Sequence, residues 1–579
     1  MIKSYDSGFY RSCLPFARGD RPAELLIRNA RIANVFSLEY ELADVAVAQG
    51  IVVGVGSGYE GLETVDATGK VLIPGMIDGH VHIESAMLTP ARFAEAVVPR
   101  GTAAVMADPH EIANVWGTAG VIAMWRNAQE APLDFFWGAP SCVPASDFET
   151  CRTPLSHEEL ARLFTDGVCQ HLGEMMNFPA VIDGDAAVWA KLAAAGERPL
   201  TAHSPGLGGK DLCAYLLSGC LADHETTRYE ESLEKLRRGG WIMLRAGAAA
   251  NDLPALAPLV VENPARSSRC LVVSDDLTPT ALAAEGHMDA KLRAMIRLGI
   301  EPLTALRMIT LSPAEYFKLP RRGGIAPGWQ ADMALVDSLE SCQVEKVWKN
   351  GRLVAQNGQL CTTISTDFPA GEISPPAPVP ATAIRIEMPP DKQKIRAIGW
   401  RSGSLLTESL TVAPKVENNL VVADPGQDIA KLVVQERNRN TGRVAVGLVQ
   451  GLGLKCGALG ASVAHDAHPF IVAGAEDESI LRALTWLREN GGGFVACRQD
   501  RILAALPLPI AGLMTDKPLP EVAAALREVD TAALTLGITG AHPCMALSFL
   551  SLSVIPSLKL TDWGYVDLGR GGIQERFRN

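Results

Sequence analysis

The 579-residue chain has no uninterrupted apolar run of the 18 or more residues that a membrane-spanning helix requires, because Arg, Asp or Glu breaks every candidate. Nor does it carry a surplus of cations. Its 53 Lys and Arg stand against 65 Asp and Glu, a formal net charge of −12. Nucleic acid and anionic membrane surfaces both call for a basic footprint, so neither is an expected partner, and small neutral substrates stay open. The 12 cysteines, from Cys13 to Cys544, include no Cys-x-x-Cys, and residues 1–20 lack the basic-then-apolar pattern of a secretory signal. Reduced thiols in a cytoplasmic protein are therefore expected.

Apolar residues make up 47% of the chain, enough for sizeable cores, and its length exceeds what one core supports, so two or three domains are expected. The most informative stretch runs from Pro74 to Ser85, Pro-Gly-Met-Ile-Asp-Gly-His-Val-His-Ile-Glu-Ser. Alternate residues of a strand share a face, so His80 and His82 can point together at one metal ion, with Asp78 or Glu84 in reach. A lone His-x-His is a weak signal. The pattern downstream strengthens it.

Between residues 73 and 321, strand-like apolar runs alternate with helix-like segments such as Pro90 to Arg100, Asp185 to Ala195, Tyr229 to Arg238 and Met288 to Leu298. Eight runs end in polar residues, and eight βα units in about 250 residues match a (β/α)₈ TIM barrel, whose chemistry sits at the C-terminal ends of the strands. His80 and His82 end the first run, Glu174 the fourth, His203 the fifth, His224 the sixth and Asp275 the eighth. These donors suffice for two divalent ions sharing a carboxylate, and such a pair can generate a hydroxide nucleophile at neutral pH. With no thiolate in the set, manganese is the first expectation, with iron or zinc as alternatives to it and copper(I) excluded.

Short β-like runs with Asn and Gly turns fill residues 22–72, and the same texture returns at Asp332–Asp337 and Val344–Val354. One small β-sandwich built from both flanks, residues 1–72 and 322–372, is expected. The stretch Ile373–Ala381 reads as a proline-rich linker, and residues 382–579 as a C-terminal α+β domain with helices at Ser479–Glu489 and Leu519–Val529. Its His465 and His468 are expected to be solvated or to pack, although Ser-Val-Ala-His-Asp-Ala-His is polar enough to reach a barrel mouth.

The order His-x-His, Glu, His, His, Asp resembles the amidohydrolase superfamily, in the branch where glutamate replaces a carbamylated lysine. More narrowly, the chain is similar to the adenine deaminase family. The resemblance rests on the block from Pro74, Ala-Asp-Pro-His-Glu-Ile-Ala-Asn-Val from Ala107, Leu-Gly-Glu-Met-Met-Asn-Phe-Pro from Leu172, Asp-His-Glu-Thr-Thr from Asp223 and Val-Ser-Asp-Asp from Val273. It continues through Ala-Gly-Leu-Met-Thr-Asp-Lys-Pro from Ala511 and Leu-Lys-Leu-Thr-Asp-Trp-Gly from Leu558, and so covers nearly the whole chain.

The resemblance implies hydrolysis of adenine to hypoxanthine and ammonia, with two divalent ions held by His80, His82, Glu174, His203, His224 and Asp275. It further implies catalytic work for Asp275, Glu84 and His110, purine contacts from Ser85, Glu111 and Glu225, and a homodimer acting in purine salvage. Asp275 would accept the proton of the nucleophile, whereas the general acid stays open among Glu84, His110, Glu111 and Glu225. Leu277 and Thr278 stand where the family has a basic residue and a histidine, and Ser204 where it has a small apolar residue. These departures imply looser ring recognition, with an N6-substituted adenine as an alternative substrate. A cyclic-amide hydrolase is the other alternative, opposed by the absence of any lysine between His82 and Lys191.

Overall fold

The computed structural model describes residues 6–578 except 249, 370, 372, 373, 403, 405 and 541. Eight parallel strands pair in chain order: Met76–His82, Thr102–Ala107, Asp134–Ala139, Cys169–Met175, Leu200–Ala202, Cys220–Asp223, Trp241–Arg245 and Cys270–Val273. Directly after the eighth, Asp275–Asp276 pairs with Val81 and His82 of the first, which closes the sheet into the expected barrel. Both faces of the strands are covered, so Thr102–Ala107 and Cys270–Val273 are buried throughout.

Ile77, Met106, Phe136, Met243 and Leu271 from five strands form one apolar cluster with Tyr316 and Phe317. That cluster fills the barrel interior and leaves the polar strand ends to the opposite, C-terminal end. Along the first strand Ile77 joins this interior cluster, and a Cβ on Gly79 would strike Leu271 at 2.3 Å. Strict alternation would then turn His80 and His82 outward. A register shift between Asp78 and Val81 reverses the parity and brings both imidazoles inward, as bulges beside active sites do.

The two flanks meet where Val71–Pro74 pairs antiparallel with Met333–Val336. A nine-stranded sheet results, in which Leu25, Ile27 and Val47 share a core with Met333, Leu335 and Trp348. The sheet curls back on itself, with Val52 N donating to Trp329 O at 2.8 Å. Helix Ser7–Ala17 covers another face through Phe9, Tyr10 and Phe16.

Of the proline-rich linker, Ile373 lies outside the described residues, and Ser374–Pro380 has no regular structure before a 3₁₀ turn at Ala381–Ile384. The C-terminal domain is built on another nine-stranded sheet, in which Leu432 and Val434 face the core shared with the barrel while Val433 faces helix Asp477–Glu489. Among the described residues no helix is long and apolar enough to cross a membrane.

Candidate metal centre and active site

All six expected ligands converge at the C-terminal end of the barrel. Glu174 divides them: its Oε1 lies 3.3 Å from His82 Nε2 and 3.7 Å from His80 Nε2, while its Oε2 lies 2.7 Å from His203 Nδ1 and 3.2 Å from His224 Nε2. Asp275 Oδ1 faces the first pair, 3.2 Å from His82 Nε2 and 3.6 Å from His80 Nε2. His82 Nδ1 donates to the carbonyl of Asp108 at 3.1 Å, which fixes the tautomer and leaves the Nε2 lone pair for a cation. The donors therefore fit divalent metal binding, and nitrogen and oxygen ligands of this kind suit manganese, iron or zinc.

Electrostatics agree with that fit. Burial would raise the Glu174 carboxyl, but His224, His203 and His82 hold it well below the usual carboxylate range. Asp275 is likewise held well below its ordinary value, because His80, His82 and Arg245 outweigh burial. Burial works against a charge on His82, yet Asp275 and Glu174 push it well above its ordinary value. Carboxylates that gather protonated imidazoles in this way exchange those protons for cations when metal binds.

The surrounding side chains set this geometry. Asp108 Oδ2 accepts the backbone N–H of Glu174 at 2.7 Å, and a Cβ on Gly173 would stand 2.5 Å from the same oxygen, so only glycine allows the approach. Asp78 turns away from the cluster, accepting from Ser274 N at 3.1 Å and lying 3.0 Å from His287 Nε2. It ties the first strand to the eighth and offers nothing to a cation.

The cavity beside the cluster, about 40 Å³, is lined by His82, His110, Glu111, Glu174, Met176, His203, His224, Glu225, Arg245, Asp275 and Asp276 from the barrel. His465, Asp466, Phe549, Leu552, Val554 and Ile555 from the C-terminal domain complete it. His110, Glu111 and Glu225 thus reach the cavity, as the sequence suggests. Two residues named beside them do not line it. Glu84 accepts from Ile112 N at 3.2 Å, with burial pushing its carboxyl up to about 7, and Ser85 donates to Asp276. The 3₁₀ turn Ile83–Ala86 carries both behind the wall.

Two further expectations need correction. His465 and His468 are neither solvated nor simple packing residues: both are buried and bonded to Glu111, His465 through Nδ1 at 2.7 Å and His468 through Nε2. Leu277 and Thr278 do not touch the cavity. Thr278 caps helix Pro279–Glu285, accepting from Ala281 N at 3.3 Å, and Leu277 is buried away from the ligands, so the basis for looser ring recognition is absent. Ser204 also turns aside, donating from its backbone N–H to Asp223 at 2.8 Å.

Arg245 and Asp276 were not singled out from the sequence, and of the C-terminal roof only the stretch from Ser462 to His468 was, as polar enough to reach a barrel mouth. Arg245 pairs with Glu225 and lies 3.3 Å from Asp275 Oδ2. The signal for it was present, since a cation ends the seventh strand. Phe549 to Ile555 carried none, and no local pattern relates residue 465 to residue 111.

Comparison with known proteins accords with this arrangement. Residues 71–354 match the model of the amidohydrolase family, and residues 404–571 match the adenine deaminase C-terminal domain. The adenine deaminase of Syntrophobacter fumaroxidans is 43% identical over 97% of this chain and 98% of its own. That of Methanothrix thermoacetophila is 40% identical over 96% and 97%. Among solved structures, a beta-aspartyl dipeptidase from Fervidobacterium islandicum AW-1 covers 59% of this chain and 99% of its own at 18% identity, with a TM-score of 0.44. With two matching family models over barrel and roof, and relatives of this identity over nearly its full length, the chain belongs to the adenine deaminase family.

Proposed function

We propose that the chain hydrolyses adenine to hypoxanthine and ammonia. The observation that carries this reading is Glu174, a buried carboxylate with one oxygen turned to each histidine pair, inside a cavity closed by the domain that the adenine deaminase model matches. His80, His82, Glu174, His203, His224 and Asp275 would hold two divalent ions, manganese first. Bound there, the ions would supply an activated water as nucleophile at neutral pH.

The chain's own groups divide the remaining work. Asp275, kept ionised by the imidazoles and Arg245, takes the proton that the water gives up. His110 lines the cavity 3.6 Å from Glu174 Oε1, and it is our assignment for the proton donor to the ring and the departing ammonia, a role commonly worth about 10² to 10⁴ in rate. Glu225, held by Arg245, and Asp276, held by Ser85, face the purine as fixed hydrogen-bonding groups. Phe549, Leu552, Val554 and Ile555 exclude bulk water.

Metal analysis of the purified protein, followed by an ammonia-release screen over adenine, N6-methyladenine, guanine and their nucleosides, tests the reading. We expect two ions per chain and adenine as the substrate turned over fastest. A protein carrying both ions and releasing no ammonia from adenine would refute it.

A further inference from the structure

His465 belongs to the C-terminal domain yet lines the cavity at the barrel mouth, and it is 3% exposed. Its ring is held on three sides. Nδ1 lies 2.7 Å from Glu111 Oε1, the ring of Phe549 stacks on it at 4.7 Å between centroids with 11° between planes, and its backbone N–H donates to Ser548 O at 3.0 Å. Because Glu111 is a carboxylate and can only accept, Nδ1 carries the proton it donates. Nε2 is buried and has no hydrogen-bond partner among the described residues. An oriented, buried ring nitrogen left without a partner is destabilising unless a ligand satisfies it.

A third cation is not the missing partner. The group Glu111, His465 and His468 has the spacing of a metal site, but Ala464 N donates to His468 Nδ1 at 3.0 Å. That bond uses the Nδ1 lone pair, so the neutral ring carries its proton on Nε2 and gives it to Glu111. His468 therefore fixes Glu111, and Glu111 fixes His465. The residue that carries the orphan nitrogen lines the cavity, and a chain of contacts leads to it from the cluster: Glu174 contacts His110, His110 contacts Glu111, and Glu111 contacts His465.

We infer that His465 Nε2 is the specificity-determining contact for the five-membered edge of a free purine base, an inference that rests on the deaminase reading above. With the amino-bearing carbon at the ion cluster, N7 of the fused imidazole lies beside the amino group and N9 is the ring nitrogen farthest from it. That edge offers one N–H and one bare nitrogen, so it can partner Nε2 whether the latter accepts or donates. A nucleoside, substituted at N9, loses the N–H of that edge and keeps only the bare N7. Sites that read a hydrogen-bonding group reject analogues lacking it by about 10⁴ to 10⁵, far more than an apolar wall achieves.

The test pairs two side-chain variants of the metal-loaded, full-length enzyme with two substrates: adenine, and an aminothienopyrimidine of the same shape in which sulfur and CH replace the imidazole nitrogens. His465→Asn keeps a donor near Nδ1 for Glu111 and removes Nε2, whereas His465→Gln places a polar atom near Nε2. We expect the wild type to prefer adenine in kcat/KM by at least about 10². We expect His465→Asn to lose most of that preference by losing activity on adenine alone, and His465→Gln to retain more of it than Asn, all with wild-type metal content. The inference is overturned if the wild type treats both substrates within about tenfold, or if Gln loses the preference and Asn keeps it, the pattern of a group needed only to hold Glu111. An enzyme with both ions that releases no ammonia from adenine would instead overturn the deaminase reading, and this one with it.

Discussion

Glu174 serves two histidine pairs at once, and so its replacement is expected to be graded. Glu174→Gln keeps the shape and removes the charge that holds both sides together. We expect one of two ions to be lost on metal analysis and deamination to fall by more than about 10⁴, beyond what one proton-transfer group supplies. Retention of two ions would show that the carboxylate does not bridge. Gly173→Ala acts at one remove, because the added Cβ pushes on Asp108, which positions both Glu174 and His82. Loss of such a support costs about 10- to 100-fold in metal affinity, readable by chelator competition. The convergence of these six side chains was legible in the sequence because His, Glu and Asp are rare at the ends of apolar strands unless they have work there. Glu84 and Ser85 were not legible in the same way, since nearness to His82 along the chain does not say which side of a 3₁₀ turn a side chain takes.

At the scale of elements, the barrel was readable from alternation alone, whereas the details that aim the site were not. The reversal of parity between Asp78 and Val81 leaves no trace in the hydropathy pattern, and without it the two histidines would face the helices. The roof raises a separate matter of fit. The cavity beside the cluster is narrow, about 40 Å³, and Phe549, Leu552, Val554 and Ile555 roof it. We expect Phe549 and the segment to Ile555 to give way as adenine enters, while His465 and His468 stay tied to Glu111. Hydrogen exchange in the presence and absence of a slowly hydrolysed purine is the suitable measurement. We expect protection to change at 549–555 and to stay constant at 464–468. Equal change in both segments would mean that the roof moves as one piece.

At the scale of the molecule, the C-terminal domain docks on the loop after the third barrel strand, where Ser553 donates to Glu149 at 2.6 Å and Thr150 to Asp562 at 2.6 Å. The proline-rich stretch marked a boundary in the sequence but could not show that the domain beyond it returns to cover the barrel. The docking surface buries carboxyls that prefer to be neutral. Burial, reinforced by Asp466, pushes Glu149 up to about 8, and burial raises Asp562 as well. The folded state thus binds the Glu149 proton more tightly than the unfolded chain does, whose carboxyl titrates near 4.5. By linkage, this contribution to stability is present in full below about pH 4.5, declines as the pH rises and is gone above about 8. We expect the melting temperature to fall from pH 6 to pH 9 and expect Glu149→Gln, which accepts from Ser553 without a charge to bury, to remove part of that fall. At pH 9 the variant should melt at least about 3 °C above the wild type, which corresponds to roughly 1 kcal/mol for a domain of this size. A gap between the two proteins that stays constant from pH 6 to pH 9 would show that Glu149 does not carry its proton at this interface.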